Sequence, residues 1–133
     1  MSQENVELVR RLIEAYNRAD FQTVAEGCDE GFEFTSVMTA VEETSYRGRD
    51  ALETYWADMN ETWEEWDVEV LQVLEGREDA VAAVTRLVGK GKSSGAPVDR
   101  TIGISYWVRN GKLWRMRSYL DPAEALEAVG LSE

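Results

Sequence analysis

Halfway along this chain the spacing of apolar residues changes from three or four to two, and that change limits the possible folds more than any other feature. From Val6 to Ala19, the residues Val9, Leu12, Ile13 and Tyr16 recur at helical steps and form one stripe of an amphipathic helix. Asp20 is placed to cap a shorter second helix through Ala25, which Gly27 stops. Phe32 to Thr35 reads as a short strand, Ser36 to Gly48 as a polar loop, and Arg49 to Thr62 as a third helix with Leu52, Tyr55, Trp56 and Met59 on one face. From Trp66 onward the pattern is that of strands. The runs 66–74, 80–89, 98–109 and 113–120 are rich in β-branched and aromatic residues and are separated by Gly-containing turns, with Asn110-Gly111 the tightest. Strands joined this way predict an antiparallel meander. Asp121-Pro122-Ala123-Glu124 then supplies a cap, a proline at the first helical position and a glutamate three residues after the cap, so a last short helix runs to Val129 before Gly130.

Three helices, a sheet and a short helix make an α+β chain: a curled antiparallel sheet, cone-shaped, with the three N-terminal helices packed on its concave face and a short C-terminal helix. Its 133 residues suit one domain spanning 1–133. Alternation assigns the faces of the strands. Val81, Ala83, Thr85 and Leu87, then Ile102, Ile104, Tyr106 and Val108, then Trp114, Met116, Ser118 and Leu120 are expected to point toward the helices. Trp107, Arg115, Arg117 and Tyr119 are expected to point away.

Charge and missing residue types exclude whole classes of function. Asp and Glu number 26 against 14 Lys and Arg, a formal charge of -12, which disfavours nucleic acid and anionic membrane surfaces. No apolar run is long enough to span a bilayer and residues 1–7 are polar, so a cytoplasmic location is expected. The chain has no histidine and one cysteine, Cys28. Common zinc sites, Ser-His-Asp triads and Cys-His dyads therefore cannot be assembled, and no metal or cofactor is expected. Any chemistry falls to carboxylates, phenols, hydroxyls, Arg, Lys or Cys28.

Four phrases carry a family resemblance: Val9-Arg10-Arg11-Leu12-Ile13-Glu14-Ala15-Tyr16-Asn17, Tyr46-Arg47-Gly48-Arg49-Asp50-Ala51-Leu52, Gly91-Lys92-Ser93-Ser94-Gly95, and Asp121 to Leu131. Together with the order of elements, the chain resembles the SnoaL-like polyketide-cyclase domains of the nuclear transport factor 2-like superfamily. The resemblance covers essentially the whole chain and implies a cone with an apolar pocket. It is specific for fold and not for activity, since one scaffold hosts enzymes, binders and interaction domains.

Three enzyme constellations of that superfamily fail by position. Ketosteroid isomerases keep a tyrosine donor in the first helix and an aspartate base on the first strand, where this chain has Leu12 and Thr35. Epoxide-hydrolase relatives use two aspartates and an arginine, where this chain has Thr85, Leu87 and Ser118. Scytalone-dehydratase relatives need histidines. What the resemblance leaves is cyclase chemistry with an acidic residue after the last strand, for which Asp121 is the candidate, beside its plainer role as a helix cap.

The leading expectation is a binding protein for a small apolar or aromatic molecule, in a pocket lined by Leu12, Tyr16, Tyr55, Met59, Thr85, Tyr106, Met116 and Ser118. Trp56, Trp63, Trp66 and Trp114, with Met59 and Met116, suggest a wide cavity fit for a polycyclic ligand. A cyclase, isomerase or dehydratase using Asp121 and pocket tyrosines is the alternative. A protein-interaction domain is the third. Glu33 competes with Phe32 and Phe34 for the inner face and should lose, because an unpaired buried carboxylate is costly. Trp107, Arg115, Arg117 and Tyr119 form a face of interface-type residues, and a homodimer through it is expected.

Overall fold

A computed structural model describes residues 2–36, 44–92 and 94–131. Its elements are α1 (Ser2–Asn17), α2 (Phe21–Glu26), β1 (Cys28–Ser36), β2 (Thr44–Arg47), α3 (Ala51–Thr62), β3 (Trp63–Glu75), β4 (Ala80–Gly91), β5 (Pro97–Arg109), β6 (Lys112–Tyr119) and α4 (Pro122–Ala128). The strands form one curled, open sheet in the order β2-β1-β6-β5-β4-β3. Strands β3 to β6 are the expected meander, antiparallel throughout. Strand β1 returns to lie parallel to β6.

Local chemistry fixes the boundaries. α1 ends as Ala19 turns to a positive φ of 56° and the Asp20 side chain accepts from the backbone N–H of Thr23, which starts α2. Asn110 and Gly111, at φ 55° and 78°, supply the two left-handed residues of a tight hairpin turn between β5 and β6. Asp121 caps α4 by accepting from the Ala123 N–H at 3.0 Å.

α1 lies along β3, and its last residue ties the two together. The Asn17 amide donates to the Val68 carbonyl at 2.8 Å and accepts from the Val68 N–H at 2.9 Å. β3 is an edge strand, so these backbone groups face away from the ladder, and Asn17 satisfies them where another strand would. The core between the helices and the sheet includes Val9, Leu12 and Ile13 of α1, Tyr55 and Met59 of α3, and Ile102 and Tyr106 of β5. No helix among the described residues is long and apolar enough to cross a membrane.

Two expectations need correction. Of the loop expected over Ser36 to Gly48, residues 37–43 lie outside those described, but Thr44–Arg47 is strand β2, held against β1 with the Tyr46 ring stacked 4.8 Å from Phe34. The alternation expected for β6 breaks at a bulge. Trp107 pairs with Arg115 while Val108 pairs with Leu113, so Trp114 is the extra residue. Leu113 turns inward and is buried, and Trp114 turns outward under the Arg109 guanidinium at 4.6 Å. Leu120, past the end of the strand, is 49% exposed rather than inward.

The short C-terminal helix α4 packs on the outer face of the sheet and not with the other helices. Small residues make its seat. A Cβ on Gly103 would meet the Ala125 Cβ and Pro122 Cα at 2.7 Å each, and Ala80 and Ala82 pack beside Val129. Ser105 donates to the Ala125 carbonyl at 2.7 Å, an acceptor near the C-terminal end of a short helix.

A tyrosine-lined cavity under the sheet

A cavity of about 80 Å³ lies between the helices and the concave face of the sheet. Leu12, Ile13 and Tyr16 of α1, Val24 of α2, and Leu52 and Tyr55 of α3 form its roof. Cys28, Phe32, Phe34 and Ser36 of β1, Ile104 and Tyr106 of β5, and Leu113, Met116 and Ser118 of β6 form its floor, and the curl of the sheet brings Val68 of β3 to its side. No charged side chain among the described residues lines it.

Leu12, Tyr16, Tyr55, Tyr106, Met116 and Ser118, chosen from the sequence, converge here. Met59 and Thr85 do not reach the lining. Met59 is fully buried behind it, with its sulfur 3.7 Å from the Tyr16 hydroxyl. Thr85 sits on β4, between Val70 and Ile102, one strand beyond the floor, and its buried hydroxyl has no hydrogen-bond partner. Phe32, Phe34, Ser36 and Leu113 were absent from the expected lining. The period-two run Phe32, Phe34, Ser36 was the available signal for the β1 residues, whereas only the bulge explains Leu113.

The cavity is narrower than the bulky composition suggests, because aromatic rings fill the space. Phe32 stacks on Phe34 at 4.9 Å, and Tyr55 meets Phe34 edge-on at 5.1 Å. The tryptophans expected to widen the pocket do not line it. Trp56 packs 5.2 Å from Tyr16 and 6.1 Å from Trp66, outside the lining, and Trp114 is on the opposite face. A polycyclic ligand does not fit this space.

Hydroxyl groups supply the polar character. The Tyr16 and Tyr55 hydroxyls are 2.8 Å apart in a hydrogen bond, and Tyr55 also bonds Ser36. Ser118 donates toward the Thr35 carbonyl at 3.5 Å. Burial raises the pKa of Tyr16, with Tyr55 adding to the effect, and burial raises Tyr106 with Tyr55 as the second cause. Tyr55 is also raised by burial, against the pull of its bonds to Tyr16 and Ser36. These phenols stay protonated across the physiological range and act as donors. Burial pushes the Cys28 thiol up to about 12 despite Arg49 and Lys112, so it is no nucleophile at neutral pH.

The carboxylates weighed for catalysis lie elsewhere. Asp121 is exposed, caps α4 on the outer side and does not line this cavity. Glu33 points outward and pairs with Arg47 at 2.8 Å. Thr35 also faces outward, bonded to the Ser45 hydroxyl at 3.0 Å, because its neighbours Phe34 and Ser36 take the inner face.

On the outer face the aromatic and arginine residues pair as cation and ring. Arg115 lies 4.6 Å over Trp107, and Arg117 lies 5.3 Å over Tyr119. α4 covers part of this face, with Trp107 packed against its cluster.

A curled sheet capped by three helices around an apolar cavity matches known proteins at two levels. The family profile described as SnoaL-like domain matches residues 9–116. The chain belongs to the SnoaL-like family. Among solved structures, a nuclear transport factor 2-like protein of unknown function from Burkholderia pseudomallei superposes with a TM-score of 0.80 at 16% identity, covering 98% of this chain and 99% of that one. Bal32a, from a soil-derived mobile gene cassette, superposes at 0.77 with 23% identity, covering 96% and 97%. TerC, co-crystallised with polyporic acid, superposes at 0.77 with 15% identity, covering 95% and 97%. At such identities the likeness establishes the nuclear transport factor 2-like fold of this SnoaL-like chain and nothing finer. No curated protein matches the sequence significantly.

Proposed function

We propose that this SnoaL-like protein binds a small apolar or aromatic molecule, of about one ring, in the cavity under its sheet. One observation carries the reading: an apolar space whose lining includes hydroxyl-bearing residues and no charged side chain among the described residues. That environment suits a neutral ligand and offers no carboxylate to move a proton, which favours binding over the cyclase or isomerase alternative. The co-crystal of TerC with polyporic acid supports a ligand role for proteins of this fold. Toluene is the direct probe. A ligand that binds only the folded state at ten times its Kd adds about 1.4 kcal/mol of stability. Millimolar toluene is expected to raise the melting temperature in a saturable way, and phenanthrene, too large for the cavity, is expected to leave it unchanged. A melting temperature indifferent to toluene removes the reading.

A second proposal concerns assembly. The outer-face pairs of Trp107 with Arg115 and Tyr119 with Arg117 present stacked guanidinium and ring surfaces of the kind enriched at interfaces, and a homodimer through this face is the reading they favour. Light scattering across a concentration series should give the mass of a dimer, shifting toward monomer in Arg115→Glu. Monomer mass throughout rules it out.

A further inference from the structure

Among the hydroxyls of the cavity one is different. Tyr16 and Tyr55 bond each other, Tyr55 also bonds Ser36, and Ser118 donates to a backbone carbonyl. Tyr106 lines the same space and is 4% exposed, and among the described residues none is hydrogen-bonded to its hydroxyl. A buried donor left unmade costs free energy, and a phenol facing an apolar void with nothing to bond is poised to donate to whatever enters.

The geometry limits the ligand from both sides. No charged side chain among the described residues lines the space, so an ionised ligand would lose its hydration with no opposite charge in return. Apart from those already bonded hydroxyls the wall is apolar, including Met116, which stands across from Tyr106 on β6. A molecule with several polar groups would leave most of them unpaired there. The volume of about 80 Å³ sets the size at a single ring.

We propose that Tyr106 is the specificity-determining residue of the cavity, donating its hydroxyl proton to the one acceptor of a neutral monocyclic ligand, a ketone or ether oxygen. The assignment rests on the cavity being the ligand site. Its burial-raised pKa keeps Tyr106 in the donating form at all physiological pH values.

The test uses two molecules of one shape, cyclohexanone and methylenecyclohexane, which differ in having an oxygen or a CH₂ at the same place. Both are titrated against the intact protein and against Tyr106→Phe. One hydrogen bond is worth a factor of about five to ten in affinity, so Tyr106→Phe is expected to weaken cyclohexanone by that factor and to leave methylenecyclohexane within about twofold. If both compounds bind and the substitution changes them equally, or changes neither, Tyr106 is not the donor, while the cavity stands as a ligand site. If neither compound binds the unaltered protein, the ligand site itself fails and this assignment with it. A measurement on the unaltered protein guards against a variant that does not fold. The carbonyl stretch of bound cyclohexanone should move to lower frequency than in hexane, and a hexane-like frequency overturns the proposal.

Discussion

Raising the pH from 8 to 11 is expected to strip this protein of most of its stability, seen as a steep fall in the urea midpoint above pH 9. Four groups buried in or beside the cavity drive the effect: Cys28, Tyr16, Tyr55 and Tyr106 all have their pKa raised, chiefly by burial. A group raised in the folded state contributes its stability in full below its unfolded pKa and loses it as the pH climbs toward the folded value. Cys28, with a folded value of about 12 against an ordinary 9.0, begins the loss near pH 9, and the tyrosines join from their ordinary 10.0 upward. Each group that ionises in the unfolded chain but not in the folded one contributes about 1.4 kcal/mol per pH unit. At pH 11 Cys28 alone accounts for a loss of about 3 kcal/mol and the three tyrosines for up to about 1.4 kcal/mol each, so the combined loss reaches at most about 7 kcal/mol, comparable with the whole stability of a small domain. Tyrosinate absorbance should rise together with unfolding, not before it. A urea midpoint that is level from pH 8 to pH 11 contradicts this account of the cavity.

The largest effect of a single substitution is expected at Asn17. Its side chain both donates to and accepts from the backbone of Val68, a residue 3% exposed. Asn17→Ala removes two hydrogen bonds and leaves the Val68 N–H and C=O without the partner that replaces a neighbouring strand. Each orphaned group costs about 1 to 3 kcal/mol, so a loss of about 3 kcal/mol and a drop in Tm on the order of 10 °C are expected. Asn17→Asp keeps the acceptor for Val68 N–H but not the donor, and should fall between. A loss below about 1 kcal/mol for Asn17→Ala means that α1 is held to β3 by apolar packing alone.

The parts of this fold that were legible in the sequence are those where one residue's direction follows from its neighbours' spacing. The stripe Val9, Leu12, Ile13 and Tyr16 and the alternation Ile102, Ile104, Tyr106 and Val108 both face the core. Strand β6 shows where spacing stops informing, since a bulge at Trp114 moves Leu113 to the opposite face without any change in residue type to announce it. Strand β2 escaped because four residues are too few to show a period. The side chosen by α4 did leave a trace in the small residues Ala80, Ala82, Gly103 and Ser105, a helix-sized seat on the outer face. Cavity size was not legible. The same aromatic content makes a wide pocket or a narrow one depending on how Phe32, Phe34, Tyr46 and Tyr55 stack, and stacking is a property of the assembled molecule.

The parallel pairing of β1 with β6 has a consequence for the order in which the molecule can assemble. Phe34 meets Met116 across that pairing, so the floor of the cavity joins segments from opposite ends of the chain, whereas the meander β3 to β6 joins only neighbours. Contacts between near neighbours close cheaply and early, while those that close a long loop come late. A folding chain can therefore possess most of its sheet and still have no cavity. A ligand of the kind proposed would meet only the finished protein and would slow its opening, holding distant segments of the chain together from within.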